Sequence, residues 1–455
     1  MYHGGNNYGR AASAGVTTMY ADGVNLHSDG LSNEPKRSHL RKLHEALIEC
    51  NDVLLRNERQ VLNPRDLPSA DGGVIEASSL QRAFIYGPDD GRNQVAFLEN
   101  MASKSASVMF SGSKYELAPD SMLILKDGVV LFDTADVHRS FPGQQHRTYT
   151  PVVQPASLTW ETWNELNVSS QIPRKRVVSD RPVEQLRLTA DRTDYLTYET
   201  SFSLKGADVA AKADLKVISC DATSIVAFVD GWLIGERGLA HPGGNCSQEF
   251  KFHLPASIDV DRQHDLKLVS VSLGIFSLGS NHSKGLTGSV RIGGLDLTAQ
   301  RWEMFPGLVG EQLEIYRSQW VDSVPWTPVP SAQSGRELMS WYRTAFRYSP
   351  ETTASGKQES SILLDCIGLT RGRAYLNGYD LGRYWLINDE GEFVQRYYHV
   401  PKDWLATDHE NLLVVFDELG GSVASVQLVS STMVPDGAAA LEMTDGSSVA
   451  VVARE

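Results

Sequence analysis

Gly372-Arg373-Ala374-Tyr375-Leu376-Asn377-Gly378-Tyr379-Asp380-Leu381-Gly382-Arg383-Tyr384-Trp385 sets the terms for the rest of the chain. Large residues alternate up to Asn377-Gly378 and resume after it. The pattern predicts a β-hairpin, because both residues of a two-residue turn need positive φ, which Asn and Gly adopt at little cost. The same order of residue types (Ala, aromatic, aliphatic, Asp or Asn, Gly, aromatic, any, aliphatic, Gly) runs from Ala227 to Gly235 and from Ala374 to Gly382. Asp230 and Asn377 lie 147 positions apart.

The echo extends to both sides. Tyr198-Glu199-Thr200-Ser201-Phe202 returns as Tyr342-Arg343-Thr344-Ala345-Phe346, and Leu266-Lys267-Leu268-Val269-Ser270-Val271 returns as Leu412-Leu413-Val414-Val415-Phe416. Three blocks in one order at a period of about 145 residues are too long for a solenoid repeat and right for a whole domain. Two copies of one β-domain are therefore expected, at 186–305 and 306–431. Short strands, Asp-Gly and Asn-Gly turns, few helices and repeated aromatics point to jelly-roll sandwiches. Trp232 and Tyr379 fall at matching positions just past the turns. Each either covers one end of its own core or stands ready to stack on a sugar ring.

The chain has 455 residues, enough for three or four cores of ordinary size. Its formal net charge of −14 disfavours polyanionic partners, so no nucleic acid is expected. No apolar run approaches the roughly 18 residues of a membrane span. Cys50, Cys220, Cys246 and Cys366 lack the short spacing of a zinc cage and leave one or two disulfides open. No metal site and no cofactor are expected. The triplets Asn167-Val168-Ser169, Asn245-Cys246-Ser247 and Asn281-His282-Ser283 fit glycosylation of a secreted or vacuolar protein, although such triplets also arise by chance. Met1 to Asn6 has neither the basic start nor the apolar centre of a signal peptide.

Residues 1–30, rich in Gly, Asn, Ser and Ala, read as a loop. Asn33 as cap, Pro35 in the first turn and Leu40, Leu43, Leu47 and Ile48 at helical spacing predict an amphipathic helix over about 35–51. A lone helix must bury its stripe elsewhere, so residues 1–55 are expected to be the remainder of a larger unit. Short alternating runs between Ala83 and Phe132 predict a small antiparallel β-domain within 56–140. Residues 141–185, rich in Pro, Arg, Gln and Ser, read as an extended connection, and 432–455 as a tail.

Several blocks together resemble family 35 glycoside hydrolases, the plant-type β-galactosidases. Met1-Tyr2-His3-Gly4-Gly5-Asn6-Asn7-Tyr8-Gly9-Arg10, Thr17-Thr18-Met19-Tyr20 and Gly30 to Lys36 are similar to the end of that family's catalytic barrel. Tyr115 to Ser121 with Phe132 to Ala135 resembles its small β-domain, and Asp194 to Tyr198 the opening of its first jelly roll. Gly372 to Trp385, Gln395 to Leu405 and Asn411 to Gly421 resemble its C-terminal galactose-binding-like domain. The resemblance reaches to about residue 430. It implies a mainly β chain: the remnant of a (β/α)8 barrel, as a loop plus one helix, then the small β-domain and two galactose-binding-like jelly-roll sandwiches.

The resemblance also implies release of terminal β-linked galactose with retention. That reaction uses one carboxyl group as proton donor and a second as nucleophile, roughly 5–5.5 Å apart. In the family both are glutamates upstream of the Met-Tyr-His-Gly-Gly segment, so no catalytic residue is expected in this chain. A barrel takes about 250 residues, and only about 50 precede the first β pattern. The chain alone is thus expected to be an inactive part of a secreted, vacuolar or lysosomal exo-glycosidase whose partners are β-galactoside-containing glycans. The alternative is a non-catalytic carbohydrate-binding or scaffold protein built from the jelly rolls.

Glu161 and Glu165 are the most tempting local acids, but in an open connection they are expected to be a solvated pair. Tyr20 matches a family tyrosine that approaches the sugar, and Tyr2, His3 and Asn7 match the barrel mouth; packing of the loop is the other reading of Tyr20. The family's Tyr-Asp-Tyr-Asp-Ala-Pro-Leu run is replaced by Tyr20-Ala21-Asp22-Gly23-Val24-Asn25-Leu26, and Asn6 and Tyr8 replace the commoner Thr and Phe. Substrate preference does not follow from the resemblance.

Overall fold

The computed structural model describes residues 25–27, 29–62, 81–88, 92–137, 145–167, 172–205, 214–220, 223–237, 247–255, 257–260, 262–272, 283–329, 337–350, 360–386 and 395–435. They fall into two compact units, one built on Asp22–Thr148 and the other on Tyr149–Thr432.

The first unit opens with α1 (Lys36–Glu49) and α2 (Asn51–Arg56). Its strands are β1 (Gln60–Leu62), β2 (Gln81–Tyr86), β3 (Val95–Asn100), β4 (Ala106–Phe110), β5 (Ser113–Leu117), β6 (Ser121–Lys126) and β7 (Val129–Asp133). β1-β2-β3-β6-β7 form one antiparallel sheet, and β4-β5 a separate hairpin. Period-2 alternation divides the sheet's side chains between two cores. Ala96, Leu98, Leu123 and Leu125 join Val108, Phe110, Tyr115 and Leu117 of the hairpin. Val95, Ile124 and Phe132 join Ala46, Cys50 and Val53 of the helices.

The helical stripe thus docks on the β-domain that follows it, while Ile48 and Leu55 stand 74% and 78% exposed. Pro35 stands at the N-cap of α1 and gives no side-chain cap. Glu34 supplies one instead, its carboxylate accepting from the backbone N–H of Ser38 at 3.2 Å and from its hydroxyl at 2.8 Å.

The second unit begins within β8 (Gln145–Val153) and continues with β9 (Glu161–Asn164), β10 (Val177–Ser179), α3 (Gln185–Thr189), β11 (Tyr195–Ser203), β12 (Asp214–Ser219), β13 (Thr223–Val229), β14 (Trp232–Arg237), β15 (Gln248–His253) and β16 (Gln263–Ser272). After these come β17 (Leu286–Ile292), β18 (Leu295–Asp296), β19 (Trp302–Pro306), α4 (Val309–Gln312), β20 (Thr327–Pro328), β21 (Ser340–Arg347), β22 (Ser360–Asp365), β23 (Arg371–Leu376), β24 (Tyr379–Trp385), β25 (Tyr397–Val400), β26 (Glu410–Asp417) and β27 (Gln427–Pro435).

The strand orders β10-β19-β11-β16-β13-β14 and β20-β9-β21-β26-β23-β24 match place for place, as do β15-β12-β17-β18 and β25-β22-β27-β8. Each copy is a six-stranded sheet facing a four-stranded one around its own core.

Residues 145–179, read from sequence as an extended connection, supply three strands. β8 and β9 enter the second sandwich and β10 the first, so the first sandwich lies in sequence between strands of the second. β8 carries Pro151, which an edge strand tolerates because one side of its backbone needs no ladder donor. The strand pairing also moves one repeat block by a residue. Thr200 and Val229 flank Leu266, whereas Thr344 and Leu376 flank Leu413. Leu413, not Leu412, is therefore the counterpart of Leu266, and both point into their own sandwich core.

The central strands of the two six-stranded sheets are buried on both faces. In β13, Ile225, Ala227 and Val229 fill the first core, while Val226 and Phe228 turn the other way. In β26, Leu413 and Val415 fill the second core, while Val414 and Phe416 turn outward to meet Val226, Phe228, Val269 and Tyr195 in a third cluster between the sandwiches. Strands covered on both sides read as nearly continuous apolar runs, as β13 and β26 do.

Candidate binding cleft at the sandwich junction

The two hairpins are built alike. Asp230 and Gly231 have φ of 50° and 81°, and Asn377 and Gly378 have 52° and 84°, as a two-residue turn with both centres left-handed requires. Each carries a bulge at the same place, between Ala227 and Phe228 and between Ala374 and Tyr375, with Gly235 and Gly382 opposite the two alanines. Each turn is pinned to the neighbouring strand by a reciprocal pair of bonds. Asp230 donates its N–H to Asp265 O and accepts from Asp265 N, both at 2.9 Å. Asn377 does the same with Leu412, at 2.9 and 2.8 Å.

Their surroundings differ. The Asp230 carboxylate lies 2.8 Å from His264 Nδ1 and accepts from Arg262 at 2.5 Å. The Asn377 amide instead donates to Trp404 O and Asn411 Oδ1, both at 2.8 Å. Trp232 is 77% exposed, and Tyr379 is 53% exposed while stacked on Trp404 at 4.8 Å. Trp232 stands largely clear of its own core, whereas Tyr379 leans on Trp404, which packs against the second core.

Behind the second hairpin, a buried charge network joins the sandwiches. Glu418, fully buried, accepts from Arg371 Nε and Arg383 at 2.6 Å each and from Tyr195 Oη at 2.8 Å. Arg371 also reaches Glu236 and Ser224, both at 2.8 Å. Asp194 accepts from Arg373 and Arg383 at 3.0 Å each, and Arg373 continues to Asp380 at 2.7 Å. Burial alone would raise the Glu418 pKa, but the two guanidiniums outweigh it and hold the carboxyl below its usual range. Ser224, Glu236, Asp194 and Tyr195 belong to the first copy and the three arginines to the second, so neither satisfies its charges alone.

A cleft of about 610 Å³ opens beside this network, lined by residues of both copies and of the segment between them. Tyr316 and Tyr375 stack at 4.2 Å and 9° along one wall. Gly378 and Asp380 of the organising hairpin contribute its rim. Gly378 permits the close approach of Arg317, whose Cγ would lie 3.3 Å from any Cβ there.

Short helix α4 lines the cleft through Glu311 and Gln312. Glu311 is largely spoken for. Burial raises its pKa, and its carboxylate accepts from Thr193 Oγ1 at 2.6 Å and Leu308 N at 3.1 Å.

Glu161 and Glu165 are not a solvated pair. Glu161 opens β9, which pairs with β21 inside the second sandwich, and Glu165 follows directly after that strand. Glu161 accepts from Arg343 Nε at 2.7 Å. Glu165 caps α4, accepting from Val309 N, from Gly310 N at 3.2 Å and from Trp341 Nε1 at 2.8 Å. Burial pushes its pKa up to about 7 in spite of those donors. The two carboxyls face different partners.

Tyr2, His3, Asn7 and Tyr20 lie outside the described residues. Among the described residues no group of three His, Cys, Asp or Glu could hold a metal ion, and no helix is long and apolar enough to cross a membrane. Cys220 is disulfide-bonded, and Cys50 and Cys366 are buried free thiols. Sequence reasoning missed the cleft because its lining comes from four separated stretches and no short motif carries it. The one legible signal was the hairpin at its rim.

The sequence pattern of the family described as "Beta-galactosidase, galactose-binding domain" matches residues 339–411, from β21 through both strands of the organising hairpin to the start of β26. Beta-galactosidase 11 of Oryza sativa subsp. japonica is 31% identical over 447 residues, covering 94% of this chain and 48% of the rice protein. The chain is a homologue of plant β-galactosidases. Beta-galactosidase 8 of Arabidopsis thaliana is 28% identical, covering 94% of this chain and 51% of its own. Beta-galactosidase 13 of the same plant is 30% identical, with 92% and 47% covered. The chain spans about half the length of the relatives it matches.

Proposed function

We propose that this chain is the non-catalytic β-domain portion of a β-galactosidase that removes terminal β-linked galactose with retention. The carrying observation is that 94% of the chain aligns with about half of a plant β-galactosidase. The carboxylates support a supporting role. Glu165 is used as a helix cap, Glu161 as an ion-pair partner, and Glu311 and Glu418 as internal acceptors. Retaining hydrolysis needs two carboxyls facing each other across the sugar, one of them free to attack.

In the whole enzyme Tyr20, Tyr2, His3 and Asn7 would approach the galactosyl residue. The exposed Ile48 and Leu55 of the helical segment are suited to packing against the catalytic domain. The disulfide at Cys220 supports a secreted or vacuolar location, because such bonds persist in oxidising compartments.

A chromogenic β-galactoside assay tests the reading. The purified 455-residue chain is expected to show no turnover and the natural full-length product to show it. Hydrolysis by the 455-residue chain alone, abolished by substitution of one of its own carboxylates, would refute the proposal. The junction cleft favours a second reading, a carbohydrate-binding scaffold. Saturable glycan binding by a natural product that shows no turnover would decide for it.

A further inference from the structure

We propose that the cleft between the two sandwiches is a non-catalytic binding site for a carboxylate-bearing saccharide, a uronic acid or the end of a uronate-containing glycan. The inference rests on the cleft alone and goes beyond galactoside hydrolysis. Its volume of about 610 Å³ lies in the range of small-ligand pockets. The stacked Tyr316 and Tyr375 give it an apolar wall of the kind that packs against the C–H face of a pyranose, with phenolic oxygens at the ring edges for hydroxyls.

Charge then narrows the ligand class. The acids on the lining are committed elsewhere: Asp380 to Arg373 and to Gly382 N, and Glu311 to Thr193 and Leu308 N. Of the cations, Arg317 is paired with Glu314, but Lys175 and Arg192 make no ion pair among the described residues. In a chain of net charge −14, a cleft whose uncommitted charges are both positive is a local exception. A guanidinium and an ammonium beside an aromatic wall suit one carboxylate on a hydroxyl-rich ring, the guanidinium offering a two-pronged bond.

Galacturonic acid and galactose differ only in a carboxylate against a hydroxymethyl group at C6, so the pair isolates the charge. Calorimetric titration of the 455-residue chain with each sugar, and with digalacturonic acid, is the test. The expected result is saturable galacturonate binding at least tenfold tighter than galactose, weakening as salt rises from 50 to about 500 mM because part of the attraction is screened. Arg192→Ala removes an exposed side chain that makes no ion pair among the described residues, so the fold stays intact, and it should weaken galacturonate about tenfold with little effect on galactose. Tyr316→Ala should weaken both sugars, and Tyr316→Phe should restore most of the binding. Equal binding of the two sugars, no binding of either, or galacturonate binding unchanged in both Arg192→Ala and Tyr316→Ala would overturn the proposal. Enzymatic activity of the full-length product is independent of each of these results.

Discussion

The two sandwiches share strand order, turn and bulge, yet they use the shared hairpin differently. In the first copy the turn carries Asp230 against Arg262 and His264 and leaves Trp232 in solvent. In the second the turn is Asn377, tied by neutral amide bonds, and its rim residues Gly378 and Asp380 border a cleft. What the copies have in common is what folding demands; where they differ is where a partner is met. The second hairpin differs because its strands β23 and β24 bring Arg371, Arg373 and Arg383 to the face that meets the first copy.

The largest expected effect comes from breaking that meeting face. Glu418→Ala would leave Arg371 and Arg383 buried without their shared acceptor, costing about 3–5 kcal/mol in urea or thermal unfolding. A loss below about 1 kcal/mol would mean the network is not closed to water. Next are the matched core positions. Leu266→Ala and Leu413→Ala should each cost about 2–5 kcal/mol, and Leu412→Ala clearly less, because Leu412 faces away from the second core. If Leu412→Ala proved costlier than Leu413→Ala, β26 would have to pair one residue out of this register.

Titration separates two glutamates of the second copy. The Glu165 pKa rises from 4.5 to about 7 on folding, so its contribution to stability is fully present below about pH 4.5 and fades as pH climbs through 7. Glu418 is shifted downward, so its contribution is present above the ordinary carboxylate range and fades on acidification. Glu165→Gln should therefore flatten the fall in thermal midpoint between pH 4.5 and 7 and leave the acid limb in place. An unchanged slope would show that Glu165 does not titrate there. The smallest effects belong to the hairpin tips. Trp232→Ala should change stability by no more than about 0.5 kcal/mol, and Tyr379→Ala by somewhat more, since Tyr379 leans on Trp404.

Much of this architecture was legible in the sequence because turns and alternation are local. The Asn377-Gly378 and Asp230-Gly231 turns, the duplication and the strands between Ala83 and Phe132 are written in nearest neighbours. β9 and β10 were not, since Glu161-Thr162-Trp163-Asn164 and Val177-Val178-Ser179 are too short to show a period and owe their strand form to β21 and β19. The slip of Leu412 for Leu413 has a related cause: a strand buried on both faces loses the alternation that fixes register. Glu165 was misread for want of its partners, which stand 144, 145 and 176 residues further along. Side-chain environments assembled across such distances are set by tertiary packing.

The claim that the copies form one welded unit is tested most directly by native-state hydrogen exchange under rising urea, following the amides of β13 and β23. Both sets should open with the same free energy, and Glu418→Ala should lower both together. Loss of protection confined to β23, with β13 unchanged, would contradict it.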